Sequence, residues 1–292
     1  MAVVCKRCGR QYDVTLFQFG RSITCDCGAK LPQAAEITLG MEQAEAEAAG
    51  VGYLTPATEQ DLHVYLIRHG KTVWNKSGRI QGQTDVELSG EGRAESEKVA
   101  AALAAVKFEA AYSSDLRRCT ETAEIILRGP RRGAGPPAAA GHIGVCSQQT
   151  LTSGGAFNSA RRDVPLVKTD ALREEDFGEW AGLTYPEIAQ RWPEQCEERE
   201  RDRLGSRPEG GESLGELQAR VVAKMAEIAA RYTRGNVLVV THGGPAFVFF
   251  SHVMAPEGKL RGNFTVKNCA INIVSHIRFG WKLEKLNDDC HL

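Results

Sequence analysis

A chain of 292 residues, 42% hydrophobic and 25% charged, is long enough for one large globular domain and a smaller segment. Its formal net charge of −1 gives no electrostatic reason to expect nucleic acid as a partner. The apolar runs fall short of the ~20 residues that cross a bilayer, and none near the start suits a signal peptide. We therefore expect a cytoplasmic protein that binds neither membrane nor nucleic acid.

The cysteines fall into two groups. Five of the nine are scattered singly, and the other four form two close pairs, each followed by glycine: Cys5 with Cys8 and Cys25 with Cys27. Such pairs are typical of a zinc ribbon, although the second is C-x-C and not C-x-x-C. We predict that residues 1–33 form a zinc-ribbon-like module with structural Zn²⁺ on these four thiolates, able to recruit a protein partner. The alternative is four free thiols on a flexible tail.

Composition divides the rest of the chain. Residues 34–61 are rich in Glu and Ala and are broken by glycine and proline, which predicts a linker. Residues 62–292 form the predicted main domain. Within it, residues 128–163 are rich in Gly, Ala, Pro and Arg and have no hydrophobic period, which predicts a disordered insertion.

The main domain alternates strand and helix patterns. Strands are predicted at 64–67, 110–113, 165–169, 237–241, 270–277 and 281–286, and helices at 89–106, 114–127, 185–203, 214–232 and 245–254. Ser213 and Glu216 have the spacing of a capping box at the start of the fourth helix. This order predicts an α/β fold, a three-layer αβα sandwich with a mostly parallel sheet.

Two predicted strands end in a histidine next to glycine. One ends at Arg68-His69-Gly70 and the other at Thr241-His242-Gly243. Reactive groups gather at the carboxyl ends of strands in open α/β sheets. Between the two motifs, Arg118 falls in the first turn of a predicted helix, where backbone N–H groups can bind the same anion as its guanidinium. The pattern indicates a phosphate site.

These residue types suit phosphoryl transfer without a metal. Neutral imidazole at His69 is a competent nucleophile toward phosphorus, and Arg68 and Arg118 can bind the phosphoryl oxygens. His242, held protonated by a dianionic ligand, would add a donor. Glu174 is a candidate general acid, if phosphate charge and partial burial raise its pKa. Since no Asp/Glu/His cluster has the spacing of a catalytic metal site, we expect no cofactor for catalysis.

The motifs resemble those of the histidine phosphatase superfamily, which includes phosphoglycerate mutases and many phosphomonoesterases. The matching stretches are Arg68-His69-Gly70-Lys71-Thr72, the Tyr-Ser-Ser-Asp-Leu stretch from Tyr112, Pro208 to Ser213, and Thr241 to Gly244. The resemblance implies His69 as the nucleophile, Glu174 as the acid and His242 as the second pocket histidine. It further implies phosphate binding by Arg68, Asn75, Arg118 and Gly243.

Within this superfamily the sequence favours a phosphatase. The acid motif of the mutases carries an Arg and a Tyr that grip a carboxylate, whereas this chain has Glu175 and Asp176 there. The stretch Asp176-Phe-Gly-Glu-Trp resembles the α-ribazole phosphatase and broad-specificity branch. We therefore expect hydrolysis of a small phosphorylated metabolite. Two alternatives remain open: phosphoglycerate mutase activity, or a non-catalytic phosphate-sensing or scaffold module recruited by the zinc ribbon.

The ribbon interpretation makes a direct prediction. Purified protein should contain about one tightly bound Zn²⁺ in the N-terminal module, because four thiolates close a tetrahedral site. Metal analysis of the full chain, with Cys5→Ser/Cys8→Ser as the comparison, measures it. A metal content far below one zinc per chain would contradict the prediction.

Overall fold

The computed structural model describes residues 2–4, 11–13, 23–24, 30–31, 61–130, 163–255 and 264–292. The chain divides into two units, Met1–Pro56 and Ala57–Leu292. In the first, β1 (Ala2–Val4) pairs antiparallel with β2 (Gln11–Asp13), and β3 (Ile23–Thr24) with β4 (Lys30–Leu31). Cys5, Cys8, Cys25 and Cys27 lie outside the described residues, as do nearly all of the predicted linker and insertion, so these remain predictions.

A six-stranded mixed sheet forms the centre of the second unit. Its strands are β5 (Leu62–Arg68), β6 (Ala110–Ser114), β7 (Leu166–Thr169), β8 (Gly235–Thr241), β9 (Ile271–Ile277) and β10 (Gly280–Asp288). They lie in the order β10-β9-β5-β8-β6-β7. The strands β5, β8, β6 and β7 are parallel neighbours, whereas β9 pairs antiparallel with both β5 and β10.

The expected mostly parallel sheet is thus corrected to a mixed one. Parallel neighbours need a long crossover connection, but β9 and β10 are separated only by Arg278 and Phe279. Gly280 closes this turn with a φ of +111°, a conformation that side chains disfavour. A hairpin is the only pairing that so short a connection allows.

Helices cover both faces of the sheet. The helices are α1 (Val73–Lys76), α2 (Gly90–Ala102), α3 (Arg117–Arg128), α4 (Tyr185–Arg191), α5 (Pro193–Arg201), α6 (Leu214–Arg231) and α7 (Gly243–Met254), with single 3₁₀ turns at Asp170–Leu172 and Gly178–Trp180. Buried side chains of α6 and α7 pack with those of β5, β6 and β8 on one face. Side chains of α2 and α3 form a second buried cluster on the other face. The site at the strand ends therefore stands on a rigid, two-sided core.

Local sequence signals explain most helix boundaries. The capping box of Ser213 and Glu216 starts α6 as predicted, with Ser213 Oγ accepting from the Glu216 N–H. The single helix expected over 185–203 is instead two, because Pro193 begins α5 and has no N–H with which to continue α4. Over the residues that the structure describes, no helix is long and apolar enough to cross a membrane.

Candidate active site

The two strand-end histidines lie side by side. The strands β5 and β8 are adjacent and parallel, with Arg68 opposite Thr241 in the register, and the His69 N–H donates to the Thr241 carbonyl at 2.9 Å. The rings of His69 and His242 consequently lie with their centroids 5.2 Å apart. The pairing of two neighbouring strands thus creates the centre of the candidate site.

The His69 ring is arranged as a nucleophile. Its Nδ1 lies 2.8 Å from the Gly70 carbonyl, which can only accept, so Nδ1 carries the proton and Nε2 keeps its lone pair. Burial, reinforced by the charges of Arg118 and Arg68, holds the pKa of His69 well below its ordinary value. The imidazole is therefore neutral near pH 7, with Nε2 free to attack an electrophile.

Arg118 is a fully buried cation in the same pocket. Its guanidinium donates to the carbonyls of Gly82 and Thr84, each at 2.7 Å, and through Nε to His242 Nδ1 at 3.2 Å. A guanidinium has five N–H donors, so two remain for a ligand. Burial lowers the pKa of Arg118 from its ordinary value, but an arginine stays protonated. The first turn of α3 thus delivers a fixed positive charge to the pocket.

The structure shows His242 without a bound anion, so the protonated donor that we expect beside a dianionic ligand remains a prediction. Because Arg118 Nε can only donate, His242 Nδ1 must accept, which leaves the proton on Nε2, 2.8 Å from Ser114 Oγ. Burial and the charge of Arg118 lower the pKa of His242 well below its ordinary value. His242 is therefore neutral here, and Cys119 Sγ also lies 3.3 Å from its Nε2. A phosphate must displace one of these neighbours to bond to it.

Arg68 provides the second cation. Its Nη1 donates to the Val266 carbonyl at 2.6 Å, whereas its buried Nε has no hydrogen-bond partner among the described residues. A Cβ added at Gly243 would lie 3.4 Å from the Arg68 guanidinium carbon, so the first turn of α7 lies directly against this charge. An anion at this point can meet a guanidinium and a helix N-terminus together.

Glu174 lies at the same helix end. Its Oε1 accepts from the Gly244 N–H in the first turn of α7 and from the Glu175 N–H, both at 3.0 Å. A Cβ at Gly244 would collide with this oxygen, so a larger residue there would force the Glu174 carboxylate to move. The carboxylate is held beside the arginines, in a position from which a proton could pass to a ligand bound there.

The segment that carries Glu174 is fixed by Arg220 of α6. The Arg220 guanidinium donates to the carbonyls of Ala171 and Glu174, each at 3.0 Å, and forms an ion pair with Glu212. A single side chain thus ties together the 3₁₀ turn before the acid, the acid itself and the loop before α6. This positioning role has no local signal in the sequence, because its partners are far apart along the chain.

Asn75 lies at the edge of the pocket in α1. Its side-chain oxygen accepts from the Thr72 N–H and hydroxyl, both at 3.0 Å, so its amide NH₂ is the group left to donate to a ligand. With Arg68, Lys71 and Asn268 it lines a cavity of about 340 Å³. The structure thus brings the predicted nucleophile His69, both arginines, the predicted acid Glu174, His242 and Gly243 together, with Asn75 at their rim.

The glycine after His69 allows two segments of backbone to pack closely. A Cβ at Gly70 would clash with the Gly92 carbonyl, so the missing side chain lets the β5 turn pack on the start of α2. The Gly70 N–H donates to Thr122 Oγ1 of α3 at 3.1 Å. Gly70 therefore fixes the turn that carries His69.

The side chain of Glu175 does not lie where the sequence predicts it. It was expected to face the substrate, but its side chain is 3% exposed and bonds to Arg199 of α5. The Arg199 guanidinium also lies 5.8 Å from the ring centres of Phe177 and Trp180. This pair joins the segment of the acid to α5, and it removes one of the two charges that we expected to repel a carboxylate substrate.

The chain belongs to the histidine phosphatase superfamily (branch 1), whose family model matches residues 64–133 and 150–289. The phosphoglycerate mutase-like protein 4 of Arabidopsis thaliana is 31% identical over 232 residues, covering 78% of this chain and 86% of that protein. Phosphoserine phosphatase 1 of Hydrogenobacter thermophilus is 24% identical over 79% of this chain and 94% of its own. These relatives support a phosphatase-type enzyme and leave mutase activity possible.

Solved structures agree with this assignment. The mycobacterial glucosyl-3-phosphoglycerate phosphatase in complex with VO3 superposes with a TM-score of 0.59 at 26% identity, covering 78% of this chain and 99% of that one. The α-ribazole phosphatase of Shigella flexneri gives a TM-score of 0.62 at 20% identity, over 77% and 96% of the two chains. At 20% identity, the similarity to the Shigella flexneri structure establishes the fold alone.

The buried Glu175 predicts a pH dependence of stability. Burial outweighs the attraction of Arg199 and raises the pKa of Glu175 from 4.5 to about 7. The negative charges of Glu174 and Glu212 raise this pKa further. Between these two values the folded chain binds the extra proton, so the free energy of unfolding should fall as pH rises from about 4.5 to about 7. The titration of Glu175 should change the free energy of unfolding by at most about 3 kcal/mol.

Glu175→Gln should remove this pH dependence of the free energy of unfolding. Glu179→Gln, at an exposed position nearby, should keep it. Denaturant unfolding of the three proteins at several pH values measures the slopes. Equal slopes for wild type and Glu175→Gln would show that Glu175 titrates alike in the folded and unfolded states.

Proposed function

We propose that this protein is a metal-independent phosphomonoesterase that acts through a phosphohistidine on His69. One observation carries the proposal: a neutral imidazole with a free Nε2 lies near the buried guanidinium of Arg118 and the partly buried guanidinium of Arg68, both of which have donors to spare. Neither Arg68 nor Arg118 forms an ion pair with a carboxylate within the described part of the chain. A phosphate dianion would supply the missing negative charge.

The first step transfers the phosphoryl group to the enzyme. His69 Nε2 attacks phosphorus, the new N–P bond forms, and the bond from phosphorus to the ester oxygen breaks. Arg68, Arg118 and the N–H groups at the start of α7 stabilise the charge on the equatorial oxygens. Glu174, in its protonated form, gives its proton to the leaving oxygen, so the alcohol departs neutral.

The second step restores the enzyme. A water molecule attacks the phosphorus of the phosphohistidine, Glu174 takes the proton of that water, and the N–P bond breaks with its electron pair returning to Nε2. Inorganic phosphate leaves, and His69 and the protonated Glu174 are regenerated. The Nδ1–H bond to the Gly70 carbonyl keeps the ring in one orientation through both steps.

The charge of the pocket supports a route without a metal ion. The guanidiniums of Arg68 and Arg118 face the reacting position with Glu174 as the only predicted acidic member of the site. A divalent cation would be repelled by this arrangement, whereas the two arginines can perform the charge neutralisation that a metal would supply.

The proposed substrate is a small phosphorylated metabolite, with α-ribazole phosphatase-like or broad specificity. The relatives named as phosphatases of phosphoserine and of glucosyl-3-phosphoglycerate support this size class. Phosphoglycerate mutase activity is the second candidate, and a specific observation favours it. Relatives above 30% identity carry mutase names, and the inward position of Glu175 weakens the electrostatic argument against a carboxylate substrate. A non-catalytic phosphate sensor is the third.

The nucleophile provides the first test. Release of inorganic phosphate from an aryl phosphate, measured with a chelator present, should fall on the order of 10³-fold or more in His69→Ala, because the covalent route is lost. His252→Ala, at the far end of α7, serves as the matched control and should keep wild-type activity. Activity that needs an added metal, or that persists in His69→Ala, would contradict the mechanism. If wild type and both variants release no phosphate, the result would favour the non-catalytic phosphate sensor.

A second assay separates phosphatase from mutase. With 3-phosphoglycerate and a trace of 2,3-bisphosphoglycerate, a phosphatase releases phosphate faster than it forms 2-phosphoglycerate, since water takes the phosphoryl group from His69. Both products are followed by NMR of phosphorus. Interconversion much faster than phosphate release would assign the protein to the mutases, with the same nucleophile.

A further inference from the structure

The segment that follows β10 carries a group of potential metal ligands that the proposed phosphatase chemistry does not use. Donor atoms of Asp288, Cys290 and His291 lie within 4.8 Å of one another. They represent the three ligand types of zinc sites, a carboxylate oxygen, a thiolate sulfur and an imidazole nitrogen. Such a cluster alone does not establish a metal site, so a second, independent observation is needed.

That sign comes from His291. The side chain is 92% buried, its Nε2 lies 2.9 Å from the Cys269 carbonyl, and its buried Nδ1 has no hydrogen-bond partner among the described residues. A carbonyl only accepts, so Nε2 carries the proton and Nδ1 presents a lone pair. A histidine that donates one ring N–H to a backbone carbonyl and offers the other nitrogen is the usual arrangement of a metal ligand.

The backbone and the charges around the cluster fit a divalent ion. The Cys290 N–H donates to Asp288 Oδ1 at 3.2 Å, a turn that brings the thiol next to the carboxylate. Asp288 Oδ2 meets Lys285 at 2.7 Å, so one carboxylate oxygen can keep this contact while the other binds the ion. A carboxylate and a thiolate together balance the charge of one divalent cation.

We propose that Asp288, Cys290 and His291 bind one Zn²⁺ through a carboxylate oxygen, the Cys290 sulfur and His291 Nδ1. On binding, the thiol loses its proton to solvent and a zinc–sulfur bond forms. Three protein ligands leave a fourth position for water. The sulfur and nitrogen donors select against Mg²⁺ and Ca²⁺, which take oxygen ligands.

A zinc ion bound at this site would fix the segment after β10 to the end of β5, the strand that precedes His69. His291 bonds to the carbonyl of Cys269, and the N–H of Cys269 donates to the carbonyl of Arg68 at 2.9 Å. A metal on Nδ1 makes the opposite N–H a stronger donor, which tightens the bond to Cys269. Asp289 and Leu292 of the same segment line a cavity of about 630 Å³ together with Arg68. Zinc there would stabilise one wall of this cavity.

The test compares metal content in full-length proteins that all retain the N-terminal cysteines. After dialysis against a weak chelator, Cys290→Ser, Asp288→Asn and His291→Gln should each hold about one Zn²⁺ fewer than wild type. Asp289→Asn is the matched control, because Asp289 pairs with Lys267 and is no ligand, and it should keep the wild-type content. The comparison is independent of whether the N-terminal module also binds zinc, and of activity.

Two further readouts complete the experiment. Zn²⁺ should raise the melting temperature of wild type more than that of Cys290→Ser, which should melt like wild type without metal since Cys290 is exposed. In the cobalt-substituted protein, the thiolate charge-transfer absorption should be weaker in Cys290→Ser than in wild type by the contribution of one thiolate, whether or not the N-terminal cysteines also bind cobalt. Equal metal content in wild type and Cys290→Ser would overturn the site. So would loss in Cys290→Ser but not in Asp288→Asn, which would indicate adventitious binding at an exposed thiol.

Discussion

The buried guanidinium of Arg118 is the interaction on which the candidate site depends. It bonds to the carbonyls of Gly82 and Thr84 and to His242, so it fixes a loop and a strand end at once. Its charge also favours neutral His69 and His242. A buried cation without a paired carboxylate is costly, and among the described residues none contacts it. A bound phosphate would relieve that cost, which couples the stability of the pocket to its ligand.

Glu174 is held at the helix end that Arg68 also contacts. It bonds to the first turn of α7, Arg220 fixes its backbone, and the neighbouring Glu175 joins the same segment to Arg199 of α5. Arg68 lies against Gly243 in the same turn of α7. The start of α7 therefore sets the positions of both charged groups relative to each other.

Sequence patterns predicted the parts of this structure that depend on local rules. The strand ends at Arg68 and Thr241, the capping box of α6 and Arg118 in the first turn of α3 all follow from short stretches of sequence. The antiparallel hairpin could have been anticipated from its short connection. The neutral state of His242, the inward side chain of Glu175 and the bracing by Arg220 could not, because each depends on partners distant along the chain.

Charge balance distinguishes the candidate site from the cavity next to it. Within the described part of the chain, the guanidiniums of Arg68 and Arg118 are not neutralised by ion pairs. In the adjoining cavity, which shares Arg68, two of the lining lysines are paired: Lys71 with Glu91 and Lys267 with Asp289, each at 2.7 Å. An anion therefore gains most electrostatic stabilisation near the two arginines, where no carboxylate competes with it for the same donors.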